Sequence, residues 1–126
     1  MFLSFLAVLP LLCASTTHVV DAGGAGTFLT IQSAIDASLA GDLIQINPGT
    51  YEEDLIVDVS VTIFAQTPGT VTIYPATSNA GTGVGGQVGT TTQSCLIRAH
   101  DVTLEDLLFI GDNPNFSPQF DARNGI

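Results

Sequence analysis

The 126-residue sequence contains no lysine and no tryptophan, and its only arginines are Arg98 and Arg123. Acidic groups outnumber basic ones twelve to two, which gives a formal net charge of −10 at pH 7. A nucleic-acid-binding domain needs clustered lysine and arginine to neutralise the phosphate backbone. Two arginines cannot do this, so the composition excludes a nucleic acid as a partner.

Cysteine is also scarce, since Cys13 and Cys95 are the only two. This excludes a disulfide scaffold and a cysteine-ligated zinc site. Cys95 is followed by two apolar residues, which predicts a small core side chain rather than a reactive thiol. Charged residues make up only 11% of the chain, and the mean hydropathy is +0.43. These values exclude a disordered acidic tail and leave room for one small folded domain.

Long apolar runs are absent too, because the longest candidate covers only residues 1–14. A helix needs about 20 apolar residues to cross a bilayer, so this run predicts no membrane span. It is typical of the hydrophobic region of a secretory signal, with small residues Cys13 and Ser15 at −3 and −1 if cleavage follows Ser15. We therefore expect a signal peptide over residues 1–15 and a secreted protein, extracellular or periplasmic. The alternative is a buried strand or helix.

One amphipathic helix is predicted over residues 31–39. Its apolar or small positions follow helical spacing and are Ile31, Ala34, Ile35, Ser38 and Leu39. Thr30 is the predicted N-cap, and Gly41 is the predicted residue that ends the helix at C′. The glycine-rich segment 21–26 precedes the helix without the strand and lysine of a phosphate-binding loop, so it predicts a tight turn.

The rest of the chain consists of short segments rich in Val, Ile, Leu and Thr. The predicted strands are 43–46, 55–57, 61–64, 71–74, 95–97, 102–104 and 107–110. Residues 47–50 (Asn-Pro-Gly-Thr) predict a turn. The interval from Ile44 to Ile63 is close to one repeat of about 20 residues, and the interval from Ile63 to Leu104 is close to two. Several short strands in each such repeat indicate a solenoid of parallel strands.

The stretch from Val20 to Val57 resembles the amino-terminal cap and first coil of the pectin-lyase-like right-handed parallel β-helix proteins. It is most similar to pectin methylesterases and to bacterial right-handed β-helix repeat proteins. The matching words are Gly26-Thr-Phe28, Thr30-Ile-Gln32, Ala34-Ile-Asp36, Gly41-Asp42, Pro48-Gly-Thr-Tyr51-Glu52 and Val61-Thr-Ile63. The resemblance implies an all-β right-handed parallel β-helix over residues 16–126. One short amino-terminal α-helix would shield its first coil, and its carboxyl-terminal end would be incomplete.

The resemblance also implies that Asp106 lies at a sharp bend between two strands, with Leu104 and Leu107 pointing inward. It implies the leading, structural portion of a secreted carbohydrate-active protein of the pectin esterase or polysaccharide lyase type. The catalytic motifs of the esterases have no match here, so no catalytic, cofactor-binding or metal-binding residue is assigned. Calcium would bind, if at all, in the full-length protein. The alternative is a non-catalytic extracellular surface or adhesion protein, and whether the whole protein is an enzyme stays open.

Two groups of acidic and amide side chains are candidate sites. Glu52, Glu53 and Asp54 offer paired carboxylates for acid–base chemistry or calcium, but no glycine-pinned ligand spacing accompanies them. We interpret them as a solvated loop face. The oxygen ligands of Asp112, Asn113 and Asn115 fit a calcium loop or an ordinary turn, and we favour the turn.

The remaining candidates concern an extracellular polysaccharide as partner. His100-Asp101 is interpreted as a turn between strands, since no serine nucleophile motif accompanies it. Arg98 and Arg123 are the only side chains that could clamp a uronate carboxylate, and Arg98 is expected to project into solvent. Segment 76–94 is uncharged and Gly/Thr/Ser-rich, and predicts an inserted loop or a sugar-facing wall. A charge of −10 repels a polyuronate, which favours neutral glycans or the non-enzymatic alternative.

Overall fold

The structure, a computed structural model, describes residues 14–76 and 94–111. Within these ranges the chain forms one helix and nine strands. The elements are β1 (Thr17–Val20), α1 (Ile31–Ala37), β2 (Leu43–Ile46), β3 (Gly49–Glu52), β4 (Leu55–Val57), β5 (Thr62–Ala65), β6 (Val71–Tyr74), β7 (Cys95–Ile97), β8 (Thr103–Glu105) and β9 (Leu107–Phe109). The predicted β-rich fold with a single short helix is therefore confirmed.

The strands form three sheets, and every strand pair in the described ranges is parallel. Sheet A has the order β1-β2-β5-β8, sheet B the order β3-β6-β9, and sheet C pairs β4 with β7. From β2 onward the chain visits A, B and C in turn, visits all three again, and then returns to A and B. We call each return to sheet A a circuit. This order excludes the hairpins of an antiparallel sandwich for the described strands.

The strand register confirms the predicted single repeat between Ile44 and Ile63 and corrects the two repeats predicted between Ile63 and Leu104. Ile44 lies opposite Ile63, as the single repeat between them predicts. Ile63 lies opposite Leu104 on the adjacent strand, so the chain between these two residues makes a single circuit. The expectation of two repeats was wrong because residues 75–94, between β6 and β7, lengthen this one circuit.

Two strands were not predicted. The chain before the glycine-rich segment forms β1, which pairs with β2 along its whole length. The turn predicted over residues 47–50 is wrong, because Gly49 already begins β3 and lies opposite Val71. Only Asn47 and Pro48 separate β2 from β3, and pairing with β6 keeps Gly49 extended.

Residues of all three sheets form one core, which is filled by the inward-facing side chains of the strands. Alternate residues are buried along β2, β5 and β6, the pattern of strands with one face on a core. The largest fully buried side chains are Ile31, Ile35, Ile44, Ile46, Leu55, Ile63, Ile73, Val20, Val57, Val61 and Val71. Leu104, Leu107 and Phe109 of the last described circuit pack against this core and are half-buried.

Helix α1 begins where the sequence predicts and ends earlier. Thr30 is the N-cap, and its side chain accepts a hydrogen bond from the Ser33 N–H. The helix ends at Ala37, with an extended Ser38 as C-cap, so Gly41 is not at C′. Leu39 was expected on the buried face but is 70% exposed. The reason is local: the Ser38 hydroxyl donates to the Ala34 carbonyl at 2.7 Å, and the backbone leaves helical geometry there.

The helix buries Ile31, Ala34 and Ile35 and packs against β1, β2 and β4. Its Gln32 side chain also bonds to the backbone of β4 as a neighbouring strand would. The Ile56 N–H donates to Gln32 Oε1 at 2.8 Å, and Gln32 Nε2 donates to the Ile56 carbonyl at 3.1 Å. This amide satisfies the open edge of sheet C, which would otherwise offer unpaired backbone groups. Within residues 14–76 and 94–111, no helix has the length and apolarity needed to cross a membrane.

Replacing Ile63 tests the shared core. Ile63 is fully buried at the centre of sheet A, so Ile63→Ala should lower the free energy of unfolding by about 2–5 kcal/mol through lost burial and a residual cavity. The neighbouring outward-facing residue provides the control, because Thr62→Ala should cost less than about 1 kcal/mol. Urea unfolding followed by far-ultraviolet circular dichroism measures both. Equal costs for the two variants would contradict the assigned inward and outward faces.

Candidate functional site

The buried carboxylate of Asp42 contacts three separate parts of the chain. Its Oδ1 accepts from the Thr16 N–H at 2.8 Å, and its Oδ2 accepts from the Leu39 N–H at 2.9 Å. His18 Nε2 lies 3.1 Å from the same Oδ2. The carboxylate therefore joins the start of β1, the turn after α1 and the start of β2. We call Asp42 and these three contacts the entry junction.

The electrostatics of the entry junction favour a charged Asp42. The Leu39 and Thr16 N–H groups, followed by the His18 contact, lower the pKa of the Asp42 carboxyl although burial opposes them. The His18 side chain is only 14% exposed, and its ring packs edge-on against Phe28 with centroids 5.4 Å apart. The imidazole is thus enclosed by β1 and its neighbours. The arrangement holds chain segments together and does not present a base to solvent.

Glu53 carries a second, half-buried carboxylate, which contacts the first turn of α1. Its Oε1 accepts from the Ile31 N–H at 2.8 Å, and its Oε2 accepts from the Gln32 N–H at 2.9 Å. Both donors are helix-start groups that lack partners within the helix. Burial raises the pKa of Glu53, and the two N–H groups offset part of that rise. The solvated interpretation was therefore wrong for Glu53, whose role depends on a helix that lies much earlier in the chain.

The neighbours of Glu53 point elsewhere. Glu52 lies on the outward face of β3 and is exposed. Asp54 Oδ1 accepts from the Ala76 N–H at 3.1 Å, across the connection that leaves β6. Glu53 and Asp54 thus contact different parts of the chain, the start of α1 and the connection after β6. In the described ranges, no cluster of three or more His, Cys, Asp or Glu side chains is arranged to hold a metal ion.

A pair of polar side chains, Asp21 and Asn47, lies where the chain leaves sheet A. Asn47 Nδ2 donates to Asp21 Oδ2 at 2.8 Å, and the Gly23 N–H donates to Asp21 Oδ1 at 2.7 Å. The Asn47 contact is the larger cause of the lowered pKa of Asp21, followed by Gly23. One glycine of this segment is required by a close backbone approach, since a Cβ at Gly26 would lie 2.6 Å from the Val19 carbonyl oxygen. The predicted tight turn before the helix is confirmed.

His100 and Asp101 lie in the turn between β7 and β8, as predicted. Their side chains are 3.0 Å apart and about nine-tenths exposed. Asp101 has φ +55°, a left-handed conformation that aspartate tolerates in turns. Arg98 follows β7 and is exposed, in agreement with a side chain that projects into solvent.

The bend expected at Asp106 is confirmed. This residue alone separates β8 from β9 and has φ +57°. Leu104 and Leu107 on either side of it pack against the core. Cys95 is buried as predicted, and burial raises the pKa of its thiol to about 11.

Several predicted features lie outside the described residues. They are Cys13 and most of the signal peptide, Asp112, Asn113, Asn115, Arg123 and nearly all of segment 76–94. Conversely, sequence reasoning missed the entry junction. A charged residue directly before an apolar strand was the available signal at Asp42, but its partners Thr16 and His18 are 26 and 24 residues away.

Neutralising Asp42 tests the entry junction. Asp42→Asn should lower the free energy of unfolding by about 2 kcal/mol at pH 7, because an amide accepts these hydrogen bonds less strongly and adds an unmatched donor. The pKa of Asp42 is lower in the folded chain than in the unfolded chain, so its contribution is complete above the unfolded value and is lost as pH falls through the folded one. The stabilities of wild type and variant should therefore converge below a pH of about 4.

Urea titrations at several pH values measure this difference. The control is Asp58→Asn, which makes the same charge change at an exposed position. A constant difference between wild type and Asp42→Asn from neutral to acid pH would contradict the charged junction.

Removing Glu53 tests the helix-start contacts. Glu53→Ala should cost about 1–2 kcal/mol of stability, because two backbone N–H groups lose their acceptor. Glu105→Ala, an exposed glutamate on β8, is the matched control and should cost less than about 0.5 kcal/mol. Thermal unfolding of the two variants measures the contrast, and similar midpoints would contradict a capping role for Glu53.

No protein-family model, no curated protein and no solved structure matches this chain.

Proposed function

We propose that this chain is the leading portion of a secreted, carbohydrate-active right-handed parallel β-helix protein. The observation that carries the proposal is the cyclic order of the three parallel sheets. A chain that returns to the same sheet in parallel register, circuit after circuit, builds a solenoid when the circuits stack in one direction. Crossovers between parallel strands are right-handed in nearly all proteins, which supports that hand.

The helix supports the assignment of one end as the capped end. α1 packs on β1, β2 and β4, and β1 and β4 are the first strands of sheets A and C. The Gln32 amide bonds to the free edge of β4, while Glu53 accepts from the helix start. A helix attached in this way excludes further strands from that edge. Its proposed role is to shield the first coil of the solenoid.

The carbohydrate assignment rests on the resemblance of residues 20–57 to pectin-lyase-like proteins. In this proposal the present segment is structural, and the active site of a pectin esterase or polysaccharide lyase type lies in later coils. The acids of residues 52–54 support a structural role, because Glu53 and Asp54 accept hydrogen bonds from the chain's own backbone. Calcium, if used, is bound by the full-length protein.

The charge of the chain bears on the choice of polysaccharide. At −10, the surface repels a polyuronate unless cations bridge the two, so a neutral extracellular glycan is the preferred partner. The same charge supports a second candidate, a non-catalytic surface or adhesion protein that uses a long β-helix for display. The two candidates differ in turnover and not in fold.

Binding and turnover by the secreted full chain test the proposal. In native gels cast with a neutral glucan, we expect retarded migration, because a neutral polymer meets no charge repulsion from the acidic chain. Gels cast with polygalacturonate should retard the chain less, and added calcium should reduce that difference. We expect no esterase or lyase turnover above background.

A gel without polysaccharide and an acidic protein of similar size are the controls. Unchanged migration in every polysaccharide gel would contradict a carbohydrate role. Turnover that a single substitution within residues 16–126 abolishes would contradict a purely structural role. Binding without turnover by a longer form of the protein would favour the display alternative.

A further inference from the structure

We propose that leader removal after Ser15 creates an ion pair between the new α-ammonium group of Thr16 and the buried carboxylate of Asp42. This inference rests on the secretion part of the proposed function. It assigns to the entry junction a role in coupling proteolytic processing to the stability of the folded chain.

The position of the Thr16 nitrogen carries the inference. This atom lies 2.8 Å from Asp42 Oδ1, the distance of a charge-assisted hydrogen bond. The Thr16 carbonyl is held as well, since it accepts from the Leu43 N–H at 2.9 Å. The nitrogen is therefore fixed from both sides, by Asp42 and by the pairing of β1 with β2. An α-ammonium group formed at the Thr16 nitrogen would therefore already lie within hydrogen-bond distance of Asp42 Oδ1.

The Asp42 side chain is poised to receive a cation. It is only 8% exposed, and the side chain or terminus facing each oxygen is His18 on Oδ2 and, after cleavage, the Thr16 terminus on Oδ1. The Leu39 N–H is a neutral donor on Oδ2. Before cleavage, the Thr16 nitrogen that donates to Asp42 Oδ1 is a neutral amide with one hydrogen. After cleavage, this nitrogen carries a positive charge and three hydrogens.

The chemical step is hydrolysis of the Ser15–Thr16 peptide bond by a signal-processing protease. Water adds its hydroxyl to the Ser15 carbonyl carbon, the C–N bond breaks, and the Thr16 nitrogen leaves as an amine that takes up a proton. An α-amino group has a pKa of about 8, so it is largely protonated at neutral pH. Residues 14–16 are exposed, so the scissile bond is not enclosed by the fold.

Leader removal would then strengthen the attachment of β1, the edge strand of sheet A. β1 is the first strand of sheet A, and its pairing with β2 supplies its only strand neighbour in the described chain. Charge-assisted hydrogen bonds are roughly twice as strong as neutral ones. The processed chain therefore holds β1 more firmly than the unprocessed chain, and the fold reaches full stability only after the leader is removed.

The composition provides a direct probe of this one atom. Because the chain contains no lysine, the α-amine of the processed protein is its only primary amine. The full chain is expressed with its own leader in a secreting host, and intact mass gives the first residue of the product. An acetylating N-hydroxysuccinimide ester at a pH of about 7.5, near the pKa of an α-amine, then labels the terminus, and mass spectrometry follows the rate.

We expect a product that begins at Thr16. Its labelling should be about tenfold slower than that of processed Asp42→Asn, which corresponds to a shift of about one pKa unit in the amine. Asp58→Asn, at an exposed position, should label like wild type. A second variant has a leucine inserted between Ser15 and Thr16, a residue too large for the −1 position, so cleavage still follows Ser15. The insertion moves the amine by about 3.8 Å and leaves Asp42 intact. This variant should label about as fast as Asp42→Asn.

The possible outcomes distinguish failure of the secretion proposal from failure of the ion pair. A chain that keeps its leader overturns the secretion proposal and this inference together. A secreted product that begins at another residue overturns the ion pair alone. So does a product that begins at Thr16 but labels as fast as the leucine-insertion variant. If Asp42→Asn does not fold, the comparison with the insertion variant still decides, because that variant retains the carboxylate.

Discussion

Parallel register between very short strands is the constraint on which this structure depends. Each strand has three or four residues, too few to be stable alone, so its backbone groups must bond to the strand in the same position of the adjacent circuit. Register then decides burial, because a slip of one residue would turn an inward isoleucine toward solvent. Ile44 and Ile63 show the result, since they lie opposite each other and are both fully buried.

This constraint explains why the polar side chains that bond to the backbone lie at the edges of the sheets and at the ends of the helix. A stack of parallel strands leaves unpaired backbone groups at its first strands, and helix α1 brings its own unpaired N–H groups to the same end. Gln32 satisfies the edge of β4, Glu53 satisfies the helix start, and Asp42 joins β1 to the turn after the helix. Glu53 and Asp54, which the sequence offers as candidates for chemistry, serve the backbone instead. Carboxylates perform this task well because each accepts several hydrogen bonds at once.

Local patterns predicted the elements more reliably than their connections. Helical spacing and the Thr30 cap identified α1, and short Val/Ile/Thr runs identified seven of the strands. The strand β3 was missed because Pro48-Gly49 has turn chemistry that long-range pairing overrides. The two-repeat interpretation of the interval from Ile63 to Leu104 failed for a related reason. Nothing local distinguishes two short circuits from one circuit with a long connection.

The sequence by itself determined the class of the protein: strand-rich, acidic, without the basic side chains for nucleic acid, and built from short apolar segments around one helix. Burial alternates along β2, β5 and β6 because successive side chains of a strand point to opposite faces of its sheet. The tertiary structure alone decided the partners of Asp42 and Glu53. Their contacts join residues distant in the chain, and such contacts exist only once strands have paired in register and brought distant backbone N–H groups to a carboxylate.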